Sequence, residues 1–193
     1  MSNIDPLTFA HFLYDHGRAP KILAKASLWK VPLLGGILTR TGMIPVQRNT
    51  AGAASSVGAA VDQLTLGECV AVFPEGTLTR DPDLWPMVGK TGAARLALAS
   101  RKPVVPIAQW GCRTSCPATA RGSGPSRPRT SRCTPPPVDL SDLYERPVDT
   151  ATLREATNRI MDAITALLEE IRGEKAPAER FDVRKNPGSE ERK

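Results

Sequence analysis

Histidine is almost missing from the 193-residue chain: His11 and His16 are its only two copies. Four cysteines occur, Cys69, Cys112, Cys116 and Cys133, but no paired CxxC knuckles and no histidine beside them. A four-ligand zinc site draws on such spacings, so no metal site is expected. Cys69 adjoins an apolar run and reads as a buried thiol. No run approaches the ~18–20 consecutive apolar residues that span a bilayer. No basic segment leads into an apolar one at the start, so no secretory leader is expected either. These absences favour a cytoplasmic chain. Gly89-Lys90-Thr91 ends like a phosphate-binding P-loop, yet the glycine required five residues earlier is replaced by Leu84, and that motif fails.

Acidic residues are missing from one long stretch. Between Arg113 and Pro136 only Arg, Pro, Ser, Thr, Cys, Ala and Gly occur. Its five arginines carry most of the formal net charge of +6, leaving the rest of the chain almost neutral. A basic excess held in one irregular stretch, with no aromatic interleaving, is not a nucleic-acid-binding face, and no nucleic-acid partner is expected. Two readings of residues 113–136 stay open. One is a Pro/Arg/Ser linker that cannot bury enough apolar surface to fold. The other is a segment translated out of frame from GC-rich DNA, since long structureless insertions are uncommon in compact domains and order resumes abruptly at PVDLSDLY. In that case strands normally built there are missing and a sheet edge stays unpaired, an aggregation hazard.

What is present has the alternation of an α/β fold: a mainly parallel sheet covered by helices, disrupted at 113–136. One domain is expected over residues 1–173, with a charged disordered tail at 174–193. Residues 6–15 read as a short helix and KILA at 21–24 as a strand. SLWKVPLLGGILTRTG reads as a helix or broken helix. MIPV at 43–46 has strand character, and residues 51–64 are Ala-rich and helical. ECVAVFPEG holds the clearest strand, its continuous apolar run suggesting burial on both faces. GAARLALAS at 92–100 is helical and KPVVPIAQW at 102–110 returns to strand. Residues 150–172 carry an apolar stripe through Leu153, Ala156, Ile160, Ile164, Leu167 and Ile171, with Gly173 placed as the C-terminal cap.

The chemistry concentrates in VAVFPEGTLTR, residues 70–80. Pro74 ends a strand, Gly76 allows close backbone approach to a ligand, and Glu75, Thr77 and Arg80 set an acceptor, a hydroxyl and a guanidinium on one loop. Ligands in open α/β sheets bind at such carboxyl ends, and an arginine fork suits a phosphate. Taken alone, the same loop also reads as a surface turn with a Glu–Arg ion pair.

FPEGTLTR resembles the FPEGT signature of the glycerolipid acyltransferases, the family of 1-acyl-glycerol-3-phosphate acyltransferases. Three further blocks follow the family's order. TGMIPVQRN at 41–49 is similar to the second block and ends in Arg48. VVPIA at 104–108 is similar to the fourth. SNIDP at the start resembles the tail of the first, Asn-His-x-Ser-x-x-Asp. The resemblance runs from Ser2 to about Trp110. It implies a glycerolipid-acyltransferase-like fold and acyl transfer from acyl-CoA or acyl carrier protein to the free hydroxyl of lysophosphatidic acid, giving phosphatidic acid. The acyl donor is a substrate, and no cofactor is implied.

In the family a histidine acts as general base and an aspartate orients it. The resemblance gives the orienting part to Asp5 and puts the histidine one position before Met1, so this polypeptide is expected to be impaired. His11 and His16 do not fit the motif by spacing. Glu75, Gly76, Thr77 and Arg80 correspond to the acceptor-holding block, with Arg80 on its phosphate and Arg48 as a second cation. Lys90 reads as a group near the substrate phosphate or acyl-donor site, or as merely exposed. The alternative is a non-catalytic remnant that binds phosphate or a membrane surface. A peripheral membrane contact has its own sequence signal: Trp29, Leu33, Leu34, Ile37 and Leu38 stand among Lys25, Lys30 and Arg40. The same segment also reads as a helix packed in the interior.

Overall fold

The structure is a computed structural model and describes residues 5–47, 52–110 and 135–185. Among these residues three strands form one parallel sheet in the order β2-β1-β3: β1 at Pro20–Lys25, β2 at Ile44–Val46 and β3 at Cys69–Ala71. The two short strands share β1 between them. β2 pairs with its second half, Leu23 opposite Ile44 and Lys25 opposite Val46. β3 pairs with its first half, Pro20 opposite Cys69 and Ile22 opposite Ala71. Parallel pairing sends all three carboxyl ends to one edge, so the chain after each strand emerges there.

Helix α1, Asp5–Asp15, precedes β1 by a tight link that includes Gly17 in the left-handed region (φ 72°). The link joins the end of α1 to the start of β1, which sets the first turn of α1 toward the carboxyl edge. Phe9 on α1 meets Phe73 edge-on, with ring centroids 5.6 Å apart. After β1, a 3-10 turn at Ala26–Lys30 and α2 at Leu34–Arg40 make the broken helix expected from the sequence. Helix α3, Gly52–Thr65, links β2 to β3 and packs on both strands and on α4, Gly92–Ser100.

Helix α4 is apolar on more than one side because it separates two clusters. Leu96 joins Ile44 and Ala60 beneath the sheet, with Leu23, Val57 and Val70 packed around them. Ala94, Ala97 and Leu98 face Leu140, Leu143, Leu153, Ala156 and Ile160 on the other side. The last three of these belong to α5, Thr150–Arg172. The Asp149 carboxylate accepts a hydrogen bond from Thr152 N (2.8 Å) at its start, and Gly173, at φ 68°, ends it. The stripe expected on α5 is buried at Leu153, Ala156, Ile160 and Leu167 and half-buried at Ile164 and Ile171.

Some expectations differ from this architecture. Residues 102–110 run without joining the ladder. Pro103 and Pro106 lack the N–H groups a strand must donate, and Val104 uses its carbonyl to accept from Val138 N (2.8 Å). β3 stops at Ala71, and the run beyond it is less buried than a doubly covered strand: Val72 is half-buried and Phe73 exposed. Cys69 is half-buried, and burial pushes its thiol upward from the usual range. Residues 174–185, expected to be a solvated tail, fold back onto the domain. Val88 N donates to Phe181 O (3.0 Å), Arg180 pairs with Asp162, and Ala176 N donates to Glu169 (2.8 Å). The stretch at 113–136 falls largely outside the described residues.

The end of α5 holds these parts together. The Arg172 guanidinium lies 3.9 Å from the Trp85 ring centroid and 4.3 Å from that of Trp110, while its side chain is only 9% exposed. It also donates to Asp83 O (2.8 Å) and pairs with Glu174 (2.5 Å). A desolvated cation between two indoles is worth more than the same contact in water. Replacing Arg172 by Leu is expected to lower the unfolding free energy by about 2–3 kcal/mol, from the lost cation–π contacts and the unpaired Asp83 carbonyl. Urea denaturation followed by tryptophan fluorescence measures this; a change under about 0.5 kcal/mol, in the range of an ordinary surface substitution, contradicts the clamp.

Candidate active site

The loop that leaves β3 runs from Pro74 to Lys90 and is closed at its base by one backbone bond, Lys90 N to Pro74 O (2.8 Å). Its interior is cross-tied. The Asp81 carboxylate, 8% exposed, accepts from Asp83 N (2.9 Å) and Trp85 N (3.1 Å). Thr79 Oγ1 donates to Trp85 O (2.8 Å), and Arg80 N meets Met87 Sδ at 3.1 Å. These ties hold Leu84 at φ 62°, a conformation costly for a branched side chain. The returning strand of the loop is pinned against α5: a Cβ at Gly89 would come within 3.0 Å of the Met161 and Thr157 side chains.

Glu75, Gly76, Thr77 and Arg80 therefore sit on one short, braced segment beyond the carboxyl edge. Glu75 is the most perturbed of them. Burial pushes its carboxyl up to about 7; the Met87 N–H donated to Oε2 (3.2 Å) pulls the other way, and the nearby Asp81 charge adds to the rise. A carboxyl poised near neutrality can accept a hydrogen bond from a substrate hydroxyl or donate one. Gly76 takes φ 67°, and a Cβ there would lie 3.3 Å from Lys90 Cδ and Nζ, so the Lys90 side chain crosses directly over it. Lys90 thus belongs to the same loop surface as the four motif residues. Thr77 is exposed and Arg80 half-buried.

Two other motif blocks reach this edge. α1 begins at Asp5, and Phe9, one turn later, packs on Phe73 at the entrance of the loop. Thr8 accepts a hydrogen bond from Gln109 Nε2 (2.7 Å), which joins the first block to the chain just after VVPIA. The Asp5 side chain and Arg48 lie outside the described residues; the chain approaches Arg48 from β2, whose carboxyl end is at this same edge. The histidines are elsewhere. His11 Nε2 is 3.5 Å from Asp15 with its side chain 78% exposed, and His16 Nδ1 is 2.7 Å from Phe12 O near the far end of α1. Sequence reasoning missed Met87 and Asp81. Met87 binds through its backbone N–H, which carries no side-chain signal, but an aspartate ahead of the Pro82-Asp83 turn is a recognisable cap.

The raised Glu75 pKa has a stability consequence. Protonated in both states below about pH 4.5, the group costs nothing there; between 4.5 and 7 the folded state holds a proton the unfolded chain releases, so stability falls as pH rises. The accumulated cost above pH 7 is on the order of 3 kcal/mol. Glu75→Gln keeps an acceptor for Met87 N–H and removes the titration. Its stability relative to the parent chain should climb across pH 4.5–7 and then level off, as measured by urea denaturation; a pH-independent difference rules out the buried carboxyl.

Comparison with known proteins gives the family. The acyltransferase family model matches residues 1–110. The chloroplastic 1-acyl-sn-glycerol-3-phosphate acyltransferase of Brassica napus is 27% identical over 123 residues, covering 63% of this chain and 35% of that protein. The 1-acyl-sn-glycerol-3-phosphate acyltransferase of Borreliella burgdorferi is 32% identical over 105 residues, covering 54% and 40%. That of Bacillus subtilis is 35% identical over 89 residues, covering 46% and 42%. The chain thus spans well under two thirds of the length of these relatives. No solved structure matches it. With its family match ending at Trp110, where the fourth block meets the Arg172 clamp, the chain belongs to the acyltransferase family.

Proposed function

We propose that this domain transfers an acyl group from acyl-CoA or acyl carrier protein to the free hydroxyl of lysophosphatidic acid, giving phosphatidic acid for phospholipid synthesis. The observation that carries the reading is the convergence of separate motif blocks on one sheet edge, through the Phe9–Phe73 and Thr8–Gln109 contacts. In this reading the acceptor hydroxyl attacks the thioester carbonyl while its proton passes to an imidazole. The tetrahedral intermediate then expels the thiolate, which takes that proton back. Asp5 orients the imidazole and supports its charged form. Arg80 and Arg48 hold the acceptor phosphate, and Glu75, Gly76 and Thr77 its glycerol end. The donor is a substrate, so the reaction calls on no bound cofactor. The domain works in the cytoplasm.

The imidazole is the demanding part. His11 and His16 are engaged along α1, away from the loop. That observation favours a second reading for the 193-residue polypeptide by itself: binding of a phosphate or membrane surface without turnover. One assay separates the two. Thiol release from oleoyl-CoA with lysophosphatidic acid is followed for this polypeptide and for one preceded by Asn-His. The extended chain is expected to be faster by about 10²–10⁴-fold, the usual contribution of a positioned base. Arg80→Ala in the extended chain should raise the acceptor KM. Binding of lysophosphatidic acid with no thiol release from either chain supports the second reading; neither binding nor release overturns both.

A further inference from the structure

The chain after α5 crosses back over the loop that carries the motif. It leaves the helix at Gly173 and is anchored first on α5 itself, where Ala176 N donates to Glu169 (2.8 Å) and Lys175 pairs with the same carboxylate (3.1 Å). Pro177 and Ala178 then bridge a cleft of about 490 Å³ lined by Trp85, Pro86, Val88 and Thr165. A span over open space is not held by packing, so this strap depends on its far end. There Arg180 pairs with Asp162, and Phe181 O accepts from Val88 N (3.0 Å).

The far end meets the loop at a sensitive place. Val88 follows Met87, and Met87 is tied to two motif residues at once. Its N–H donates to Glu75 Oε2 (3.2 Å), and its Sδ accepts from Arg80 N (3.1 Å). Met87 is 2% exposed, so neither tie is readily exchanged for one to water. On the other side of Val88, Gly89 lies close against Met161 and Thr157. Met161 precedes Asp162, the partner of Arg180. One turn of α5 therefore receives both the returning loop and the strap that crosses it. Arg180 is half-buried, and its Nε finds no acceptor among the described residues. A donor buried in that way is a cost, so the fold keeps the latch at Arg180 despite a penalty.

We infer that Arg180 and Phe181 are positioning residues of the site. Their strap fixes Val88, Val88 fixes the peptide of Met87, and Met87 holds Glu75 and Arg80 relative to each other. Each strap residue acts through the loop and not on the substrate. A shift at Met87 would move the carboxyl and the guanidinium together, and the acyl-transfer reading gives both to the acceptor. The inference rests on that reading for what the site holds, not for how the strap holds it. Loosening the strap weakens the hold on the acceptor and leaves that on the donor unchanged.

The test uses the full chain. Arg180→Glu and Asp162→Arg each set like charges at the latch, and the two together restore an opposite pair. The Asp162 side chain is 69% exposed, so its substitution leaves the core intact. Amide hydrogen exchange is read by NMR at Val88, Met87 and Ile160. Each single variant is expected to speed exchange at both Val88 and Met87 by about fivefold or more, the equivalent of one ordinary hydrogen bond, with Ile160 unchanged. The double variant should return toward the parent rates. Lys185→Glu, the same charge change at an exposed position past the latch, should match the parent. In the chain preceded by Asn-His, each single variant should raise the lysophosphatidic acid KM by about fivefold and leave the oleoyl-CoA KM unchanged. Unchanged exchange at Met87, equal acceleration at Ile160, or a fall in kcat without a change in acceptor KM overturns the inference, since each is what a strap with a purely structural part would give. The expected exchange pattern with no thiol release from any chain supports the strap's grip and counts against acyl transfer.

Discussion

One cation joins three parts of the chain that lie far apart in sequence. Arg172 is the last residue of α5, yet its guanidinium is held between Trp85, from the loop after β3, and Trp110, at the end of the segment that follows α4. Through Asp83 O it also fixes the strained end of that loop. The sheet alone could not do this. With three strands, two of them three residues long, it supplies direction but little rigidity. Rigidity at the carboxyl edge comes from α5 packing along α4 and delivering a charged clamp at its end. The loop is thereby a supported part of the core, and its backbone ties can hold side chains in place for chemistry.

Burial of that loop explains the state of Glu75. A carboxyl in a loose surface turn would stay well solvated and ionise in its ordinary range. Here burial raises it, and the nearby Asp81 adds a second negative charge. The single N–H from Met87 does not offset both. The same enclosure sets Lys90 across Gly76, where a side chain at position 76 would be crowded and a positive φ is required. The motif's glycine is thus explained twice, by its conformation and by its neighbour.

Much of this was legible in the sequence, for identifiable reasons. The boundaries of α4 and α5 follow from apolar periodicity and from Gly173, signals that are local and strong. That FPEGTLTR forms a loop leaving a strand follows from strand, proline and glycine in immediate succession. The non-ladder course of residues 102–110 was missed because apolar β-branched content outweighed the two prolines that remove its donors. The return of residues 174–185 was missed because a charged composition reads as solvated, whereas here the charges are neutralised by partners on α5: Arg180 by Asp162 and Lys175 by Glu169. The brace of the loop was illegible for a deeper reason. Backbone N–H groups such as that of Met87 leave no mark in the alphabet, and a clamp such as Arg172 lies far away in the chain.

Where local rules are broken, the breaks gather. Among the described residues, three other than glycine have positive φ: Leu33, Leu84 and Arg101. Arg101 merely ends α4, in the left-handed position common at helix termini. The other two are leucines, poorly suited to such angles. One sits between the 3-10 turn and α2 after β1, and the other inside the braced loop after β3. To them can be added Glu75, a carboxyl buried at a cost in stability. A chain selected for stability alone would place glycine or asparagine at the first two positions and an apolar residue at the third. All three exceptions follow strands leaving one edge of the sheet, the edge at which the proposed acyl-transfer site lies.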